Sequence, residues 1–205
     1  MRRSPVLETL AVLLAVFVLQ VGLGVLGEAG ALAASAVAVT AEPWTLVTSV
    51  YAHAGPGHLV ANAVALAVVG PLVARRTTRI RFHAFFLATG VLAVLAELAV
   101  GGILGEPPVV LGASGAVFAL VGYMLSGNVL ASAVLDWVGL SRRAQLVVLA
   151  VVVVGLTLVT GSSRAALVAH AAGLAVGLVS GRLGVLDVPR GAGRESQQVR
   201  DIQRD

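Results

Sequence analysis

Six stretches of the chain are almost unbroken in apolar residues, and polar and charged residues collect in the links between them. Their approximate bounds are Leu7–Leu26, His58–Ala74, Phe82–Val100, Ala113–Ala133, Ala144–Thr160 and Ala165–Leu186. Each holds roughly 17–22 residues, enough to cross a hydrocarbon layer as an α-helix at ~1.5 Å per residue. The pattern predicts an all-α polytopic membrane protein, with one six-helix membrane domain over residues 1–186. The second and fifth spans are short. Short spans fit a bundle that thins its bilayer, or helices that run past the edge of the apolar run. The remaining stretch, 187–205, is polar and poor in large apolar residues, which predicts a flexible tail.

Charge gives the spans a direction. Arg2 and Arg3 precede the first span; Arg75, Arg76, Arg79 and Arg81 fill the link after the second; Arg142 and Arg143 follow the fourth; Arg182, Arg190, Arg194, Arg200 and Arg204 close the chain. The alternate links hold only Arg164. The positive-inside rule therefore predicts an N-in/C-in topology with both termini in the cytoplasm. An N-terminal signal peptide ending in the small residues Ala31–Ala36 is the rival reading; it would leave five spans with the same C-terminal side. The first external link, Gly27–Gly57, is the one long connection, with Trp44 placed to sit at the membrane interface.

Composition supports this class. Of 205 residues, 58% are hydrophobic and 12% charged, and the mean hydropathy is +0.98. The net charge of +4 comes from arginines at span ends, a topology signal rather than a nucleic-acid face. With no cysteine, disulfides and thiolate metal sites are excluded. Arginine as the sole basic residue, with abundant Ala, Val, Leu and Gly, suggests a GC-rich genome, and we expect a prokaryotic plasma membrane.

Hydroxyls, imidazoles and carboxylates inside apolar spans are costly without partners, so they mark candidate chemistry. Ser114 opens the fourth span between Gly112 and Gly115, where a helix N-terminus offers free N–H groups to a developing oxyanion. His170 lies six residues after Arg164, roughly 9 Å below the outer surface by helical rise, at a depth similar to Ser114. Gly173, Gly177 and Gly181 share its helix face, and Gly122 answers from the fourth span; small residues let two membrane helices pack backbone to backbone. Ser and His together are the minimal pair for an activated nucleophile. His58 and Asn62, at i and i+4, share a face at the outer start of the second span, where an amide N–H is a natural oxyanion donor. His53, just before that span, is placed to order the loop. His53, His58 and His170 could alternatively offer three nitrogens to a metal, but no carboxylate ligand or H-E-x-x-H motif lies nearby, and no cofactor or metal is expected. His83 falls at the cytoplasmic interface. Glu97, an acid within the third span, is expected to hydrogen-bond the first external loop; the alternative is that it orients His170.

These residues carry a resemblance. His53-x₄-His58-x₃-Asn62, Gly112-Ala113-Ser114-Gly115 and Ala169-His170-Ala171-Ala172-Gly173-x₃-Gly177, in this order and on these spans, make the stretch from about Trp44 to Gly184 resemble the rhomboid intramembrane serine proteases. The resemblance implies a six-helix rhomboid-like bundle with Ser114 as nucleophile and His170 as general base. It implies an oxyanion hole from Asn62, His58 and the Ser114 N–H, with Gly112 in the same pocket. It also implies cleavage of other proteins' transmembrane segments near the outer face, the substrates arriving from the lipid. Two departures stand out. Phe118 takes the place where many members have a Tyr packed on the His, and the Trp-Arg pair common in the first external loop is absent. Two other classes remain open: a catalytically inactive rhomboid-like protein that binds membrane helices, and a small transporter or channel, against which the clustering of polar residues near one face argues.

Overall fold

The computed structural model describes residues 4–127 and 166–188. The fifth span, the end of the fourth, Arg164 and the tail beyond residue 188 lie outside the described residues. Seven helices run through them: α1 (Pro5–Val25), α2 (Ala36–Ala41), α3 (Thr45–Tyr51), α4 (Pro56–Ala74), α5 (Arg79–Ile103), α6 (Ser114–Gly127) and α7 (Ala166–Arg182). Among the described residues there is no strand, only a two-residue bridge between Ala34 and Val110. Among the described residues three helices, α1, α4 and α5, are long and apolar enough to cross a membrane, and the described parts of α6 and α7 are apolar as well.

The helix edges follow local chemistry more than hydropathy. Proline at the first position starts α1 and α4, two residues ahead of the apolar runs, because its missing N–H costs nothing there. Thr78 caps α5 by accepting the Arg81 N–H, so this helix takes in Arg79 and Arg81 and reaches 25 residues. α7 stops at Arg182, short of the apolar run's end at Leu186, and Gly184 turns the chain at φ +62°. Beyond the turn, Leu186 N–H donates to the Tyr123 hydroxyl (3.1 Å), which donates to Asp187 Oδ1 (3.2 Å). Arg81 and the Arg76 carbonyl hold the Asp187 carbonyl and the Val188 N–H. The first residues assigned to the tail are therefore tied to the helix bundle.

Each long helix has two apolar faces with different surroundings. On α4, Asn62, Leu66, Gly70 and Val73 are buried while Val60, Val64, Val68 and Leu72 are exposed. The two sets recur every three to four residues, the helical period. The inner set carries the amide and the glycine; the outer set is aliphatic throughout, a surface suited to lipid. α1 does the same, burying Val6, Thr9 and Leu13 and exposing Leu7, Leu14, Val18 and Val21. Val6 closes on Gly70 of α4, where a Cβ would meet its methyl at 2.9 Å. At this end His83 is more than interfacial: its Nε2 and the Arg79 Nε both reach Glu8 Oε2, at 2.9 and 2.7 Å, fastening α1 to α5.

The first external link is not a free loop. Ser35 caps α2 through the Ala38 N–H, and α3 dips into the body. Val50 is fully buried against Gly90 of α5, and Tyr51 lies 6.1 Å from the Phe86 ring. The Ala34–Val110 bridge then ties this link to the segment leading into α6.

The centre is the α6–α7 pair. A Cβ on Gly173 would overlap the Gly115 carbonyl, one on Gly177 the Ala119 carbonyl, one on Gly122 the Leu174 carbonyl, and one on Gly181 the Tyr123 carbonyl. Glycine on both helices lets the two backbones touch, and dispersion between them replaces the hydrophobic drive that lipid cannot supply.

Candidate active site

α6 begins at Ser114 because the chain bends sharply just before it. Gly112 has φ +132°, a conformation L side chains rarely adopt, and a Cβ there would press on the His58 ring, 2.6 Å from Cε1. The Gly112 N–H donates to the Ser49 carbonyl at 2.8 Å. That N–H is therefore committed, and Gly112 contributes shape, not a free donor, to the pocket.

Ser114, half-buried at the start of α6, meets His170, fully buried on the first turns of α7. Ser114 Oγ and His170 Nε2 are 2.7 Å apart, within hydrogen-bond distance. Gly173, one turn further along α7, makes this approach possible by admitting the α6 backbone at Gly115. Phe118, one turn after Ser114, stacks on the imidazole with ring centroids 4.4 Å apart and planes 26° apart. Packing against the imidazole needs the ring and not a hydroxyl.

The α4 residues form the facing wall. Asn62 is 2% exposed, and its Nδ2 donates to the His58 carbonyl at 2.9 Å. An amide carries two N–H donors, and this bond uses one. His58 Nε2 is buried with no protein partner among the described residues. The His53 ring stands edge-on to His58, centroids 5.2 Å apart, and its Nδ1 lies 3.0 Å from the Tyr51 carbonyl. Burial, and then the nearby His58, push the His53 pKa down to about 4. With the Tyr51 carbonyl as acceptor, the neutral ring carries its proton on Nδ1. His53, His58 and His170 do not come together as metal ligands, and among the described residues no three His, Cys, Asp or Glu do so.

One feature was not foreseen, and one expectation is corrected. Gln20, on α1, grips the His53 backbone: its Nε2 donates to the His53 carbonyl and its Oε1 accepts the His53 N–H, both at 2.9 Å. The available signal was a lone amide in an apolar span, the same signal that singled out Asn62. Contrary to expectation, Glu97 bonds no residue of the first external loop. Its Oε2 accepts the Ala169 N–H at 2.9 Å, one residue before His170. Glu97 thus reaches the backbone of the helix that bears His170.

A model of the Rhomboid domain matches residues 40–186. The chain belongs to the rhomboid family. It is a member with helices fit to span a membrane. RHOMBOID-like protein 7 of Arabidopsis thaliana is 28% identical over 137 residues, 67% of this chain and 41% of that protein. The chain thus spans about two-fifths of the length of this curated relative.

Proposed function

We propose that this rhomboid-family chain is an intramembrane serine endopeptidase with a Ser114–His170 dyad. The observation that carries the reading is the 2.7 Å contact between Ser114 Oγ and His170 Nε2, on two helices whose glycines bring their backbones together. His170 Nε2 takes the Ser114 proton as Oγ attacks a peptide carbonyl, and the imidazolium then protonates the leaving amine. Water hydrolyses the acyl-enzyme by the same exchange in reverse. The oxyanion is held by the Ser114 N–H at the α6 N-terminus, by the second Asn62 N–H and by His58 Nε2, which has no other protein partner among the described residues. Phe118 fixes the ring plane, and Gly112 leaves room for His58.

In this reading the chain crosses a prokaryotic plasma membrane six times with both termini in the cytoplasm. The site opens to the extracytoplasmic side through the polar wall of His58 and Asn62. Substrates are transmembrane segments of other proteins, entering laterally from lipid. The test is cleavage of a single-pass model substrate in liposomes. Ser114→Ala and His170→Ala each abolish turnover and still insert; turnover retained in either variant refutes the dyad.

A further inference from the structure

We propose that Glu97 is a positioning residue for Ser114 and His170, holding the α7 backbone beside His170 so that the imidazole meets the hydroxyl. The proposal rests on the serine-peptidase reading above. Glu97 is the one acid in α5 and is 3% exposed. A carboxylate so placed is costly unless its oxygens are bonded. Its Oε2 accepts the N–H of Ala169 on α7 at 2.9 Å, a bond to a charged acceptor that offsets part of that cost. The residue held is the immediate neighbour of His170.

The same face of α5 also holds the serine side. Ala93, one turn before Glu97, packs so closely on Gly115 that a Cβ there would overlap its methyl. Gly115 follows Ser114, and its Cβ position lies 3.7 Å from the Ala169 carbonyl. α5 therefore touches the residue after the serine through Ala93 and the residue before the histidine through Glu97. It sets the spacing of the two helices from outside the pair. Ala93 supplies only bulk; Glu97 supplies the directional bond that fixes how far α7 enters and how it is turned.

The experiment measures kcat and KM per folded molecule in liposomes for wild type, Ser114→Ala, Glu97→Gln, Glu97→Asp and Glu97→Leu, with a single-pass substrate. Glu97→Gln keeps a carbonyl acceptor at the same reach and should stay within about threefold of wild type. Glu97→Asp withdraws the acceptor by a methylene and Glu97→Leu removes it. Each should lower kcat by about 10- to 100-fold with KM unchanged, the cost of a misplacement on the order of 1 Å. Unchanged kcat in Glu97→Asp and Glu97→Leu, with only thermal stability lost, overturns the proposal, as does equal impairment of Glu97→Gln and Glu97→Leu. Should Glu97→Leu fail to insert, the Glu97→Gln and Glu97→Asp pair decides. Wild type no faster than Ser114→Ala overturns the peptidase reading itself and this proposal with it.

Discussion

Adding one methyl to Gly173 tests whether backbone contact between α6 and α7 sets the chemistry. The Cβ of Gly173→Ala would fall on the Gly115 carbonyl oxygen, with the Gly115 carbonyl carbon at 2.9 Å. Both atoms are backbone, so no side chain can swing away. The helices must part by on the order of 1 Å to bring the methyl to a tolerable distance, an overpacking that costs roughly 1–3 kcal/mol. His170 sits three residues before Gly173 and Ser114 one before Gly115, so the parting is felt at the pair. A 2.7 Å contact lengthened by that amount passes out of hydrogen-bond range. Turnover should fall by ~10²-fold, and Ser114 should react correspondingly more slowly with a fluorophosphonate. Gly102→Ala is the control: it also lies in a helix, and a Cβ there meets nothing within 4 Å. It should leave turnover unchanged and stabilise by up to about 1 kcal/mol through helix propensity. A Gly173→Ala protein that cleaves and labels at wild-type rate would show that the packing leaves slack, and the argument would fail.

Two more predictions concern the wall facing the pair. Gln20→Leu removes both bonds to the His53 backbone and leaves a buried N–H and carbonyl unpaired, so it should destabilise by about 2 kcal/mol; an unchanged melting temperature would show that the grip is idle. His53 is harder to protonate in the folded protein than in the unfolded chain, because its pKa is lowered from 6.5 to about 4. The unfolded state therefore binds the proton first. Stability is full above about pH 6.5 and is lost as pH falls toward 4, by up to about 3 kcal/mol. Melting of wild type at pH 7 and pH 5 should show this drop, and His53→Asn should make it smaller; equal slopes would assign the acid sensitivity elsewhere.

The residues of the candidate site were legible because the membrane makes polar groups conspicuous. Ser114, His170, Asn62 and His58 stand out in apolar runs, and span edges with loop charge put them at one depth. Gly173 and Gly177 were legible through spacing alone, since a helix face is fixed by its period. The partners of those groups were harder to read. Glu97 could reach a loop, a ring or a helix backbone, and which it reaches depends on how far α5 is rotated about its axis. Gln20 finds His53 thirty-three positions along the chain, a pairing that no local pattern encodes.

Hydropathy alone therefore determined that the chain lives among helices in a membrane and which side chains are too polar to face lipid. It did so because burying a backbone or a charge in hydrocarbon has few solutions. The tertiary structure decided the rest: that α3 folds inward against α5, that Gly112 yields space to His58, and that Glu97 bonds the helix bearing His170. Those outcomes turn on displacements of an ångström and on helix rotation, which are set by close packing between segments distant in sequence and leave no periodic trace in any one of them.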